Sequence, residues 1–267
     1  MKKVLVALLT TVLAVSMFTG CGSKKEETKK DDSLTKIQEK KELVLGLDAS
    51  FPPMGFTNQD NDIIGFDIDL AKEVAKRMDI KLKLQPINWD SKEQELDTGN
   101  IDCIWNGLTY SDERAEKMLC STPYMENHQV LVLPADSKVK KLTDLKGQTV
   151  EGQKGSTAAD AVDKTDDLKD SKIITMADNV QILNDLGHGC QAAVMDEVVA
   201  KYYTAKDKGK YKVLAANLAT EDYVIGFRKD DKALCKEIEN QLKDMAKDGT
   251  LAKISKKWFN EDITTIK

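Results

Sequence analysis

Three short stretches of this 267-residue sequence carry side chains able to hold a small charged molecule. In WNGLTYSDERAEKM (105–118), Arg114 falls in the first turn of a helix that should start near Ser111. A helix N-terminus is partially positive, so a cation there is disfavoured by about 0.3–1 kcal/mol unless an anion sits beside it. Arg114 either pairs with Asp112 or Glu113 at the surface, or faces an anion the chain does not supply. The planar guanidinium fork suits a carboxylate. In GQKGST (152–157) a glycine-containing turn opens a helix near Ser156 and Thr157, where free backbone N–H groups attract an anion and either hydroxyl can cap the helix. The order KGST is not the GK[ST] of a nucleotide-binding loop. In CQAAVMD, Asp196 ends a strand where the helix EVVAKYY begins, placed either to cap that helix or to accept hydrogen bonds from a cation. Asn106, Gly107 and Thr109 add carbonyl and hydroxyl acceptors, and their small size admits a ligand close to the backbone.

These stretches do not read as an enzyme. His128 and His188, the two histidines of the chain, lie in no motif that suggests a base, and no Ser/His/Asp or Cys/His arrangement is visible. Glu197 reads as first-turn helix charge. No cofactor is expected. After Cys21, four cysteines remain, Cys103, Cys120, Cys190 and Cys235, without CxxC spacing, so no metal site is expected. Buried free thiols are the expected state, with a disulfide left open.

The groups must be held by alternating strands and helices. LVLGLD (43–48) reads as a strand, FDIDLAKEVAKRM (66–78) as an amphipathic helix and KLKLQPI (81–87) as a strand, with SKEQELD, DCIWNGL and DERAEKML continuing the series. A second series runs through HQVLVLP, QTVEGQ, STAADAVDK, KIITM, DNVQILNDLG, CQAAVMD, EVVAKYYTAK and YKVLAA. This pattern predicts an α/β fold of two similar lobes, each a mostly parallel sheet flanked by helices. A separate strand in EDYVIGFRKDD and a helical tail are too little for a third lobe and should return to the first. The expected division is lobe 1 over 34–128, lobe 2 over 129–221 and the return over 222–267, with two crossing strands as a hinge. Ligands in such sheets bind at the carboxyl ends of the strands, here facing the cleft.

Residues 1–20 have a two-lysine start, a short apolar run and a small-residue end, the pattern of an export signal. Cys21 in FTGCGS then resembles the acylated cysteine of a bacterial lipoprotein, which implies a palmitate-type lipid anchor outside the cytoplasm. GSKKEETKKDDS has the composition of a solvated tether, expected over 21–33. Loss of Lys2 and Lys3 with the signal takes the formal charge from −5 to −7. No basic stripe suggests nucleic acid.

GLDASFPPMGF, GFDIDLAKEVA, NIDCIWNGLTYSDER, STPY, LTDLKGQTV, GSTAADA, AVMDE and DGTLAKISKKWF, in this order over nearly the whole mature chain, resemble the polar amino-acid family (family 3) of extracellular solute-binding proteins that serve ABC importers. The resemblance implies a type II periplasmic-binding-protein-like fold that closes on a free amino acid and delivers it to a membrane permease, with a monomer expected. It implies that Arg114 and Thr157 bind the ligand carboxylate, that Asp196 binds the α-ammonium, and that Phe51 and Trp89 sandwich the side chain. It also turns Gln153 toward the pocket. With Asp48 beside Phe51, these groups favour a cationic or amide side chain: arginine first, then lysine, histidine, ornithine or glutamine. A cystine-binding transport component and a dehydratase-like enzyme on the same fold stay open as alternatives. Trp105 and Trp258 read as packing residues. The chain departs from the family pattern at VEGQ, which puts Glu151 in a usually apolar strand, at LGHGCQ, and at Val198, where a proline is common.

Overall fold

The computed structural model describes residues 31–267, the side chains of 215 and 216 excepted. The export signal (1–20), Cys21 and the tether up to residue 30 lie outside the described residues. The chain enters through α1 (Ser33–Lys40), β1 (Glu42–Leu47), the short strands β2 (Ser50–Phe51), β3 (Gly55–Thr57) and β4 (Ile63–Ile64), and α2 (Phe66–Arg77). It continues with β5 (Lys81–Pro86), α3 (Lys92–Asp97), β6 (Cys103–Thr109), α4 (Asp112–Lys117) and β7 (Leu119–Cys120). Then follow β8 (Met125–Pro134), β9 (Thr149–Gln153), α5 (Ala158–Asp163), β10 (Lys172–Met176), α6 (Asn179–Asp185), β11 (Ala192–Asp196) and α7 (Glu197–Lys206). The last elements are β12 (Tyr211–Phe227), α8 (Lys232–Lys247) and α9 (Thr250–Phe259).

Local chemistry accounts for these elements. In α2 the buried residues Phe66, Leu70, Ala71, Val74 and Ala75 recur at helical spacing, which lays one apolar stripe on the sheet. Asp67 and Asp69 in its first turn and Lys76 and Arg77 in its last complement the helix dipole. Strand β1 is buried along nearly its whole length because helices cover both faces of a parallel sheet.

The main strands form one continuous sheet in the order β10-β9-β11-β8-β12-β6-β1-β5. Pairing is parallel at both ends, β10-β9-β11 and β6-β1-β5, and antiparallel through β8 and β12 in the middle. Each end is an α/β half, and β8 and β12 are the crossing strands. YKVLAA and EDYVIGF, expected as two strands, are one: β12 runs 17 residues. No glycine or proline interrupts the intervening residues, and two irregularities in its pairing with β8, between Leu214 and Asn217 and between Asn217 and Ala219, absorb the bend. The C-terminal helices pack on the first half, α8 against α1 and α2, and α9 against α2. Trp105 is fully buried, edge-on to Tyr124, and Trp258 stands edge-on to Phe56, so both indoles are packing residues as expected.

Candidate functional site

Arg114 sits at the third position of α4, whose N-cap hydroxyl, Ser111 Oγ, accepts from the Arg114 backbone N–H. The side chain turns inward and is only 7% exposed. Its guanidinium donates to the carbonyl of Thr109 at 2.6 Å and, across to the second half, to that of Gly155 at 2.9 Å, rather than to Asp112 or Glu113. Carbonyl dipoles do not neutralise a buried charge. Burial pulls the guanidinium pKa down, while Glu93, Glu221 and Asp196 hold it up. A buried arginine stays charged, so the site keeps a cation that lacks a full counter-charge.

Asp196 ends β11 without a side-chain hydrogen bond to the start of α7, which removes the capping role. Its Oδ1 accepts from Asn127 at 2.6 Å and from the Tyr223 hydroxyl at 2.7 Å. Burial first, then the neighbouring Glu221 charge, raise its pKa to about 7. Thr157 also makes no capping bond with its side chain. Its hydroxyl donates to Glu221, whose other oxygen accepts from Thr109 at 3.0 Å, Gln129 at 2.9 Å and Asn127 at 3.2 Å. The turn at 152–157 is held instead by Ser156, which donates to the Gln153 carbonyl at 2.7 Å and accepts from Ala158 N–H.

Gly107 in β6 has φ of +59°, and an added Cβ would stand 2.8 Å from the Phe51 ring. Only glycine fits without strain. Its N–H donates at 2.7 Å to Asp67, a fully buried acid that also accepts from Tyr124 at 3.0 Å and is pushed by burial to about 7. Lys92, 2% exposed, lies 5.3 Å from the Trp89 ring centre and donates to the carbonyls of Trp89 and Gly155. Burial, then Arg114, lower its pKa to about 8.

Eight expected residues line one small cavity: Phe51, Trp89, Gly107, Thr109, Arg114, Gln153, Thr157 and Asp196, joined by Ser156. The other two stand behind this wall. Asp48 Oδ1 accepts from Ser50 N–H and hydroxyl, while its Oδ2 accepts from Gln153 at 2.7 Å. Burial raises its pKa, and the bonds from Ser50 and Gln153 oppose the rise. Asn106 turns its carbonyl oxygen to the Asp48 N–H at 3.0 Å, so its side chain supports the β1 end instead of facing the cavity.

Residues 43–261 match the profile of the bacterial extracellular solute-binding proteins, family 3. The chain belongs to that family. The L-cystine-binding protein TcyJ of Escherichia coli K12 is 29% identical to this solute-binding protein over 259 residues, 96% of each chain. The crystal structure of Tv2483 bound to L-arginine superposes with a TM-score of 0.85 at 32% identity, covering 88% of this chain and 98% of that one. A Streptococcus pneumoniae ABC uptake substrate-binding protein with bound histidine gives 0.82 at 36% identity, covering 89% and 100%. The fold is therefore the two-lobe α/β architecture expected of the family.

Four residues that stand behind this binding protein's cavity wall and bond to it were not singled out from the sequence. Glu221, Asn127, Gln129 and Tyr223 all come from the crossing strands. The sequence offered only the expectation of two crossing strands; which of their side chains meet the cavity wall depends on their register. Asn127 and Glu221 are cross-strand partners, and their side chains bond to Asp196, Thr109 and Thr157 of the cavity wall. Lys92, in the segment SKEQELD, was not singled out from the sequence, and the structure buries it. The four cysteines of the described residues are free thiols, with Cys120 partly exposed and the others buried.

Proposed function

We propose that the chain captures a free amino acid with a cationic or amide side chain, arginine first, and passes it to an ABC permease. The observation that carries this reading is the pairing of polarities across one cavity: buried Arg114 on one side and buried Asp196, with Glu221 near it, on the other. An amino acid's carboxylate and ammonium complement both. In this reading Arg114, Ser156 and Thr157 receive the carboxylate, and the Thr157 hydroxyl leaves Glu221 to do so. Asp196, with Glu221 beside it, receives the ammonium, each charge-assisted bond contributing about 1.5–3 kcal/mol. Phe51 and Trp89 flank the side chain, and Asp48 with Gln153 meets its far end. A cation between aromatic faces gains about 0.5–2 kcal/mol.

Lysine, histidine, ornithine and glutamine follow arginine as candidates. The cystine-binding relative makes cystine a further ligand to test. Relatives that are transport binding proteins favour binding over catalysis. The lobes are proposed to meet near residues 128 and 221, where β8 and β12 cross, with closure about those strands. Anchoring through acylated Cys21 completes the proposal; palmitate labelling that tags the wild type and spares Cys21→Ser is the expected result, and equal tagging contradicts it.

A thermal-shift screen of the purified protein against the twenty amino acids, ornithine and cystine tests the ligand class. Stabilisation by arginine and its basic or amide relatives, with none by glutamate, is expected. Stabilisation by glutamate alone, or by no amino acid, contradicts the proposal.

A further inference from the structure

Glu151 is an acid in the middle of β9, between strands β10 and β11, with Ala193 and Ile174 as its cross-strand partners. It is 2% exposed, and its Oε2 is buried with no hydrogen-bond partner. A buried polar atom left without a partner costs about 1–3 kcal/mol, more if charged. This oxygen does not face an apolar wall. Ligand atoms of Glu151, Asp185 and Cys190 all lie within 4.8 Å of one another.

The three residues come from different elements. Glu151 projects from β9 on the same face as Gln153, two residues on, because side chains alternate along a strand. Asp185 is the last residue of α6, which covers that face. Cys190 lies just before β11 in the loop LGHGC and is fully buried. That loop folds back on Asp185. The backbone N–H groups of His188 and Gly189 donate to the Asp185 carbonyl at 2.9 and 3.0 Å, and a Cβ on Gly189 would stand 2.0 Å from Asp185 Oδ2. A side chain at 189 would displace the carboxylate.

We propose that Glu151, Asp185 and Cys190 form a site for one thiophilic divalent cation of the zinc type, separate from the amino-acid cavity. One thiolate and two carboxylates are a donor set that zinc accepts, with water completing a tetrahedron. Zinc–ligand distances of about 2.0–2.3 Å bring donors within about 4 Å of each other, a small contraction of the present cluster. On binding, the Cys190 thiol and any proton shared between the two carboxyl groups pass to solvent, and the metal–sulfur bond forms. Half-buried Asp185 and the exposed residues 187–189 give the ion a route in from the surface. The sequence argued against a metal because it lacks paired cysteines and histidines. This donor set uses carboxylates, and its spacing of 34 and 5 residues matches no local metal motif.

The test is titration of the metal-free full-length protein with Co2+, followed by displacement with Zn2+. One equivalent of Co2+ should produce a thiolate-to-cobalt charge-transfer band, and Zn2+ should abolish it and raise the melting temperature reversibly with chelator. Cys190→Ser and Glu151→Gln should each weaken binding by at least about 100-fold, since even residues that only support metal ligands are worth about 10- to 100-fold. Cys120→Ser should keep the band. Glu151→Gln removes the buried acid without changing its shape, so it should fold at least as stably as the wild type without metal. No band in the wild type, or a band that survives in Cys190→Ser or Glu151→Gln, overturns the site.

Discussion

Gln153 donates to Asp48 Oδ2 at 2.7 Å, joining the end of β9 to the end of β1 across the cleft. The amide and the carboxylate belong to different halves of the molecule, so a side chain that reaches Asp48 meets both halves at once. Replacing Asp48 with Asn keeps the turn at Ser50 and the shape of the wall but removes the negative charge. Arginine binding should weaken by about 1.5–3 kcal/mol, the worth of one hydrogen bond to a charged group, and glutamine binding should change much less. Calorimetry with both ligands checks this. Equal losses would show that Asp48 does not read the side chain.

Affinity should depend on Asp196 protonation. Its pKa is raised to about 7 by burial and by Glu221, so below that pH the acid is protonated and cannot pair with an ammonium. Binding then expels a proton, and affinity should fall by about tenfold for each pH unit below 7 and level off above it. Calorimetry from pH 5 to pH 8, in two buffers of different ionisation enthalpy, counts the proton. A constant Kd with no proton release contradicts the assignment.

Stability should carry the mark of Asp67. An acid whose folded pKa lies above its unfolded value stabilises the fold below the unfolded pKa and loses that contribution as pH rises through the folded one. For Asp67 the folded value is about 7, so stability should fall between about pH 4 and pH 7, by up to about 4 kcal/mol. Asp67→Asn should remove that part of the slope in denaturant titrations, leaving the part due to Asp196. An unchanged slope in the variant would contradict a protonated Asp67.

Gly107→Ala places a Cβ 2.8 Å from the Phe51 ring at a φ of +59°. The backbone strain alone costs about 1–2 kcal/mol, and Phe51 must move as well. A lower melting temperature together with weaker amino-acid binding is expected. A variant as stable as the wild type would show that the glycine is not required there.

Much of this was legible in the sequence because long elements announce themselves. The stripe of α2 and the apolar run of β1 gave their places directly, and Arg114 stood out because its charge opposed its helix. The short strands β2, β3 and β4 were not legible, since two or three residues carry no periodicity. Glu221 was hidden for a different reason. Its role depends on the register of β12 against β8, which two irregularities shift before the strand reaches the cleft. Asn106 was placed in the wall from its neighbours, yet its side chain bonds to the Asp48 backbone. Adjacency in a strand does not fix which face a residue serves.

Arg114 is proposed to be the cation that holds the ligand carboxylate. Calorimetric titration of Arg114→Met with the amino acid that binds the wild type tests it most directly. The substitution removes a buried charge, so the empty protein should remain folded, while the ligand carboxylate loses its counter-charge at a cost of about 3–5 kcal/mol. Affinity should fall by at least about 100-fold, to no measurable heat at micromolar protein. Wild-type affinity in the folded variant would show that Arg114 does not hold the carboxylate.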